Sequence, residues 1–274
     1  MQPLLEASEL VVRYRSGRRV IAALDGVSLD VRAGETVGVV GESGSGKSTL
    51  ARAILGLAPV ASGRVRFMGQ DVTHLGFRKR RELYRSVQLV FQDPYSSLNP
   101  SRTIGETLAE PLRAQGQRDR AAIRERVAEL LERVELPAEA MERYPGDFSG
   151  GQRQRIAIVR ALVLSPRLVI CDEAVSALDL SVQAQILNLL RSLQFTSGLS
   201  YLLISHDLDV VRHMCDRVVV LYRGRVVESG FTAEVTRAPA HRYTAALLDA
   251  APLPNPRMQR NRRARSEFLG AGQR

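Results

Sequence analysis

Short apolar runs alternate with longer stretches of helical spacing along most of the chain, a pattern that predicts an α/β protein with a parallel sheet. The apolar runs are Thr36 to Val40, Ser86 to Phe91, Leu168 to Cys171 and Tyr201 to Ile204, and each reads as a strand. Leu10 to Tyr14 and Val27 to Val31 instead alternate apolar with polar residues, which predicts antiparallel strands flanking that core. Strand signals disappear between about residue 100 and residue 150. Within that interval Arg120 to Leu136 carries Ile123, Val127, Leu130, Leu131 and Val134 at helical spacing, so this part reads as an inserted helical region. No internal repeat is visible, which implies a single unit of this kind.

The first chemistry lies where the Thr36 to Val40 strand meets the helix-compatible stretch Leu50 to Leu55. Between them Gly41 to Thr49 reads GESGSGKST, a GxxxxGK[ST] phosphate-binding loop. Without Cβ atoms the backbone can curl tightly enough to aim successive N–H groups at phosphate oxygens, and the helix N-terminus adds a favourable dipole. Gly41, Ser43, Gly44, Gly46, Lys47, Ser48 and Thr49 are the residues expected at a bound nucleotide triphosphate. Lys47 would reach the β- and γ-phosphates, and Ser48 would offer its hydroxyl to Mg²⁺. The competing reading, a flexible turn, leaves the strand-to-helix setting unexplained. Of the 39 basic residues only Lys47 and Lys79 are lysine. One of the two thus stands where a compact ammonium suits phosphate better than a planar guanidinium.

Composition changes the picture in four places. A chain of 274 residues, 45% hydrophobic and 25% charged, can build one substantial core plus an inserted or appended subdomain. No run approaches the roughly 18 apolar residues needed to span a bilayer, and the start MQPLLEASEL lacks the pattern of a signal peptide, so the cytoplasm is the expected compartment. Cys171 and Cys215 form no metal-binding pair, and Cys171, inside an apolar run, reads as a small buried hydrophobe. The net charge of +10 is half accounted for by Arg257 to Arg274, with six arginines and one glutamate. That segment follows a proline-rich stretch and reads as a solvated, disordered tail; attraction to an anionic membrane surface is the next reading and nucleic acid the third. A second cluster, Arg78 to Arg81, reads as a solvated helix start.

Two further strand ends carry polar chemistry. Asp172 and Glu173 follow Leu168 to Cys171, at the carboxyl end of a strand where ligands sit in open α/β sheets. Beside a phosphate loop, the first acid is placed to hold Mg²⁺ and the second to orient and deprotonate an attacking water. His206 follows Tyr201 to Ile204 and is expected at the same sheet edge, within reach of the γ-phosphate. Farther on the chain, Phe148-Ser149-Gly150-Gly151-Gln152 precedes a helical stretch. Ser149 would cap that helix and the glycines would leave N–H groups open to an anion. One phosphate loop already satisfies one triphosphate, so this second anion site suggests service to another subunit's nucleotide.

Taken in order, GESGSGKS, Gln92, FSGGQ, CDE, Ser176-Ala177-Leu178-Asp179 and His206 resemble the ATP-binding subunit of an ABC transporter, with Walker A, Q-loop, signature, Walker B, D-loop and H-loop motifs present. The resemblance covers about residues 5 to 250. It implies a P-loop NTPase (RecA-like) core with a flanking antiparallel β subdomain and an inserted helical subdomain at about 93–160, and ATP and Mg²⁺ as cofactors. It also implies the individual roles. Lys47, Ser48, Gln92 and Asp172 would serve phosphate and metal, with Gln92 also touching the membrane partner. Ser149, Gly150, Gly151, Gln152 and Asp179 would meet nucleotide at a two-subunit interface. Glu173 would be the catalytic base and His206 the γ-phosphate contact. Tyr14 is the best candidate to stack on adenine.

Finer features narrow the resemblance. Phe91 to Pro100, Glu110-Pro111-Leu112, Asp179 to Gln185 and His241 to Leu248 are similar to the oligopeptide, dipeptide and nickel importers. The chain departs from that pattern at Phe148, where leucine is usual, and at Ala174 and Arg242, where proline is common. It also lacks the C-terminal cysteine cluster of some members. The resemblance implies import of peptides, or of nickel or a metal chelate, at the cytoplasmic face of a membrane. The expected partners are a second ATPase subunit, identical or paralogous, two permease subunits and, indirectly, an extracytoplasmic solute-binding protein; no nucleic acid is expected. The C-terminal importer motif falls at about 238–256. Two other classes stay open from sequence: a soluble ABC ATPase of nucleic-acid metabolism, and an accessory subunit of a metabolic enzyme complex.

Overall fold

A computed structural model describes residues 2–16, 19–91, 98–176 and 178–250, without the side chains of Ser16 and Arg19. Gln92, Ala177, the Tyr95 segment and the basic tail lie outside the described residues.

Two sheets organise the chain. The antiparallel one has the order β2-β1-β4-β5, from β1 (Leu5–Ser16), β2 (Arg19–Val31), β4 (Val60–Phe67) and β5 (Gln70–Asp71). The other has the order β10-β9-β3-β8-β7-β6. Here β3 (Thr36–Val40), β6 (Val87–Val90), β7 (Leu168–Asp172), β8 (Ser200–Ser205) and β9 (Arg217–Tyr222) run parallel, and β10 (Arg225–Phe231) closes one border antiparallel to β9. Pleating divides the parallel strands between two cores. Val37, Val39, Leu168, Ile170, Leu202, Ile204, Val219 and Leu221 join the core shared with the antiparallel sheet and α1 (Lys47–Ile54). Val169, Cys171, Tyr201, Leu203, Val218 and Val220 join the core shared with the later helices. Burial on both faces explains why these strands read as unbroken apolar runs rather than alternating ones.

The helices that follow β6 are α3 (Ile104–Ala114), α4 (Arg120–Arg133) and α5 (Gly150–Leu162), after α2 (Phe77–Ser86). Thr103 and Asp119 cap α3 and α4 with side-chain oxygens. Ile123, Val127, Leu130 and Leu131 are buried, as their spacing predicts. The chain continues with α6 (Leu180–Ser197), α7 (Leu208–Met214), α8 (Thr232–Arg237) and α9 (Arg242–Ala250).

Several boundaries differ from the sequence reading. Ser86 ends α2 instead of opening a strand, and α4 stops at Arg133 because the chain turns through Glu135 at φ 60°. The Arg78 to Arg81 cluster is not wholly solvated. Arg80 folds back to donate to the Gly56 and Leu75 carbonyls, and Arg81 donates to the Ala114 carbonyl. These arginines tie α2 to its neighbours, a role that a run of like charges does not announce.

Arg217 links the two sheets. Its guanidinium holds both Asp30 oxygens of β2 at 2.9 and 3.0 Å and Glu35 at 3.3 Å. The hydrogen bonds from Arg217 hold the Asp30 carboxyl below the usual carboxylate range. A lowered folded pKa contributes stability above the unfolded pKa and loses it as pH falls through the folded value. Arg217→Ala should therefore cost about 1–2 kcal/mol near neutral pH, with the difference from the parent shrinking as Asp30 protonates below about pH 4. Urea unfolding of both chains at pH 7 and pH 3.5 checks this; an equal gap at both pH values would remove Asp30 from the account.

Candidate functional site

Because β3, β8 and β7 are adjacent, their carboxyl ends bring the phosphate loop, His206 and the Asp172-Glu173 pair to one edge of the sheet. The phosphate loop is wedged between the antiparallel sheet and the β9–β10 turn. Gly46, at φ 109°, passes so close to the Ala23 carbonyl of β2 that a Cβ there would sit 2.5 Å from it. From the other side the Gly224 N–H donates to the Ser45 carbonyl at 2.9 Å. Ser43 and Gly44 form the exposed tip, while Gly41, Ser45 and Lys47 are buried, and Ser48 and Thr49 begin α1.

Lys47 is only 4% exposed, and its Nζ donates to the Gly41 and Glu42 carbonyls at 2.8 and 2.9 Å. Burial pushes its pKa down, while the carboxylates of Glu173 and Asp172 pull it up. The Ser48 hydroxyl donates to Asp172 Oδ1 at 3.0 Å. Burial raises the Asp172 pKa, against the Ser48 hydrogen bond and with a smaller push from Glu173. A half-buried carboxylate beside a hydroxyl is a hard-oxygen pair, which fits Mg²⁺. Among the described residues no cluster of three His, Cys, Asp or Glu could hold a metal by itself. Mg²⁺ commonly takes one or two protein oxygens and completes its shell with water and substrate phosphate.

Glu173 sits at φ 52°, and its N–H donates to the Ile204 carbonyl of β8 at 3.0 Å. Its Oε2 lies 3.3 Å from His206 Nδ1, with the glutamate side chain 19% exposed and the histidine 55%. The acid is therefore aimed by the sheet on one side and faced by an imidazole on the other. Cys171, one residue before Asp172, is fully buried and its thiol is pushed up to about 12 by desolvation, so it remains a packing residue as the sequence implies.

The signature turn belongs to the helical layer. Ser149 caps α5 reciprocally with Gln152: Ser149 Oγ accepts from the Gln152 N–H at 3.4 Å, and Gln152 Oε1 accepts from the Ser149 N–H at 3.0 Å. The Gln152 side chain is thereby engaged in its own helix. Gly151 packs against the first turn of α6, where a Cβ would come 2.5 Å from Val182 Cγ1, so that glycine has a packing reason beside the anion-binding one expected from the sequence. Gly150 stands at the same helix start, within 3.8 Å of Leu178 by the same measure. Asp179 caps α6, accepting from the Val182 N–H at 3.0 Å and the Ser181 hydroxyl at 2.8 Å. The departures from the importer pattern are absorbed. Phe148 is buried under the Arg143 guanidinium, 4.5 Å from its ring centroid, Ala174 is buried, and Arg242 occupies the first position of α9, where proline is tolerated but not required.

Tyr14 is paired with Ile21 across the β1–β2 ladder and is partly exposed, together with Val20 and Ile21. Sequence reasoning missed that these two aliphatic residues accompany it; consecutive exposed apolar residues in a strand were the available signal. It also missed Tyr243 of α9, whose hydroxyl accepts from the Glu42 N–H of the phosphate loop at 2.9 Å.

Residues 24–176 match the ABC transporter family model. The oligopeptide transport ATP-binding protein OppF of Salmonella typhimurium is 48% identical over 270 residues, covering 95% of this chain and 81% of the relative. OppF of Escherichia coli is 48% identical over 269 residues, covering 94% and 80%. Among solved structures, the ATP-binding cassette MJ0796, in a dimeric post-hydrolysis state bound to ADP and Pi, is 30% identical with a TM-score of 0.75, covering 83% of this chain and 98% of that one. The chain belongs to the ABC transporter family, as a nucleotide-binding, ATP-hydrolysing subunit.

Proposed function

We propose that this chain hydrolyses ATP to drive peptide uptake through a separate pair of permease subunits, bound peripherally at the cytoplasmic face of the membrane. The observation that carries the reading is the convergence of the phosphate loop, Glu173 and His206 on one sheet edge in a chain whose relatives are oligopeptide transport ATP-binding proteins. Those relatives favour peptides over nickel or a metal chelate.

ATP entering the phosphate loop draws the Lys47 ammonium from the Gly41 and Glu42 carbonyls to its phosphate oxygens. Ser48 and Asp172 would hold Mg²⁺, which supplies charge neutralisation on the β- and γ-phosphates; Gln92 would assist. Glu173 accepts a proton from the attacking water, and His206 steadies the carboxylate and reaches the γ-phosphate. The adenine ring would stack on Tyr14. Ser149, Gly150, Gly151 and Gln152, with Asp179 nearby, would meet the nucleotide of a second, identical or paralogous, ATPase subunit. The dimeric cassette among the structural relatives supports that pairing.

The domain reading is of the same kind. Residues 1–256 would form one ATP-binding domain with a helical insertion at about 93–160 and an importer motif at about 238–256, followed by a basic segment at 257–274. A groove at the free border of the parallel sheet suits the permease. It is lined by Leu57, Tyr84, Leu89, Phe91, Pro111 and Arg160 and has a volume of about 320 Å³. Among the described residues no helix is long and apolar enough to cross a membrane, so in this reading the passage itself belongs to other chains.

The test is reconstitution with the neighbouring permease pair in vesicles, with a solute-binding protein loaded in turn with di-, tetra- and pentapeptides and with Ni²⁺. ATP-dependent accumulation of a peptide is the expected result. ATP hydrolysis that responds to nucleic acid but to no permease would overturn the reading.

A further inference from the structure

The importer-type segment after β10 touches the phosphate loop itself. Tyr243 on α9 accepts the Glu42 N–H at 2.9 Å, and its ring leans on Tyr222 with centroids 4.2 Å apart. The start of α9 is pinned in turn. Glu228 on β10 accepts the Ala240 and His241 N–H groups at 2.7 and 3.0 Å, and His241 Nδ1 accepts the Tyr243 N–H at 3.1 Å. The hydroxyl is thus carried on a clamped helix start and presented to the loop from the β9–β10 side, where the Gly224 N–H also holds Ser45.

Glu42 is braced twice. Its N–H goes to Tyr243 and its carbonyl accepts Lys47 Nζ at 2.9 Å. On the reading above, the ammonium leaves that carbonyl when phosphate arrives. Tyr243 is then the side chain that still fixes Glu42, so its hydrogen bond weighs more in the nucleotide-bound loop than in the free one. We infer that Tyr243 is a positioning residue of the phosphate loop, through which the C-terminal segment sets the affinity for ATP. Glu173 and His206 follow β7 and β8, away from this brace, so the chemical step at saturating ATP should be insensitive to it.

The inference rests on nucleotide binding at the phosphate loop, and the experiment separates the two. Mg-ATP affinity by isothermal titration, the KM and kcat of hydrolysis, and thermal melting are measured for the parent, Tyr243→Phe and Lys47→Ala. Tyr243→Phe keeps the ring against Tyr222 and deletes only the acceptor. It should raise Kd and KM for ATP about three- to ten-fold, leave kcat within about two-fold, and melt within a few degrees of the parent. A Tyr243→Phe chain that melts lower with Kd and KM unchanged would show a purely structural tyrosine and overturn the inference. An equal loss in kcat with KM unchanged would overturn it too. Failure of the parent to bind ATP, or undiminished binding by Lys47→Ala, would instead strike the phosphate-loop reading.

Discussion

Glu173→Gln should bind Mg-ATP as tightly as the parent and hydrolyse it at least about 100-fold more slowly. The substitution keeps the shape of a side chain whose backbone is fixed by the Ile204 carbonyl at 3.0 Å and by a φ of 52°. It removes the carboxylate that faces His206 at 3.3 Å and leaves an amide that cannot take a proton from water. The proposed phosphate contacts belong to another strand end, that of β3, so binding should survive. Retained ATP would then hold two subunits together, because each bound nucleotide would meet the Ser149 turn of the partner. Light scattering of Glu173→Gln with Mg-ATP, alone and mixed with a paralogous ATPase encoded beside it, reads the outcome. Dimers in the first sample indicate a homodimer, and dimers only in the second a heterodimer. A chain that binds ATP tightly and stays monomeric in both would sink the two-subunit mechanism. Turnover within a few-fold of the parent would remove Glu173 as the base.

The two kinds of strand were legible for a simple reason. Parallel strands covered on both faces leave unbroken apolar runs, as in Thr36 to Val40 and Leu168 to Cys171, whereas β1 and β2, partly exposed, leave alternation. The extent of β1 and β2 was not legible, because register shifts after Ala7, Leu10 and Val12 break the alternation that marks a strand. In the site, the phosphate loop, Asp172, Glu173 and His206 could be read because each begins within two residues of the end of an apolar run. What escaped depends on contacts distant in sequence. Tyr243 lies 201 residues from Glu42, and the Arg217 link to Asp30 spans 187. Gly151 was read for its anion site, but the approach of Val182, which would have to move for any side chain there, is visible only once α5 and α6 are packed.

Lys47→Ala should weaken Mg-ATP binding roughly ten- to a hundred-fold, as expected for loss of a charged hydrogen bond, and cut turnover further. Its effect on the empty fold should have the opposite sign. Burial lowers the Lys47 pKa despite two nearby carboxylates, so the folded chain holds that proton less tightly than the unfolded chain. By linkage, the charged lysine opposes folding at neutral pH, and stability rises as pH increases from the folded pKa toward the unfolded one. Alanine relieves that cost but leaves the Gly41 and Glu42 carbonyls without their ammonium partner. Without nucleotide, Lys47→Ala should therefore melt no lower than the parent, and the order should reverse when Mg-ATP is added, because the tighter-binding parent gains more from the ligand. Lys47→Arg separates charge from shape: the guanidinium keeps the charge but is planar and wide, in a position only 4% exposed. Turnover by Lys47→Arg should be no better than by Lys47→Ala. Recovery to within about three-fold of the parent would mean that any cation serves there, and that the use of one of only two lysines in this arginine-rich chain carries no chemical weight.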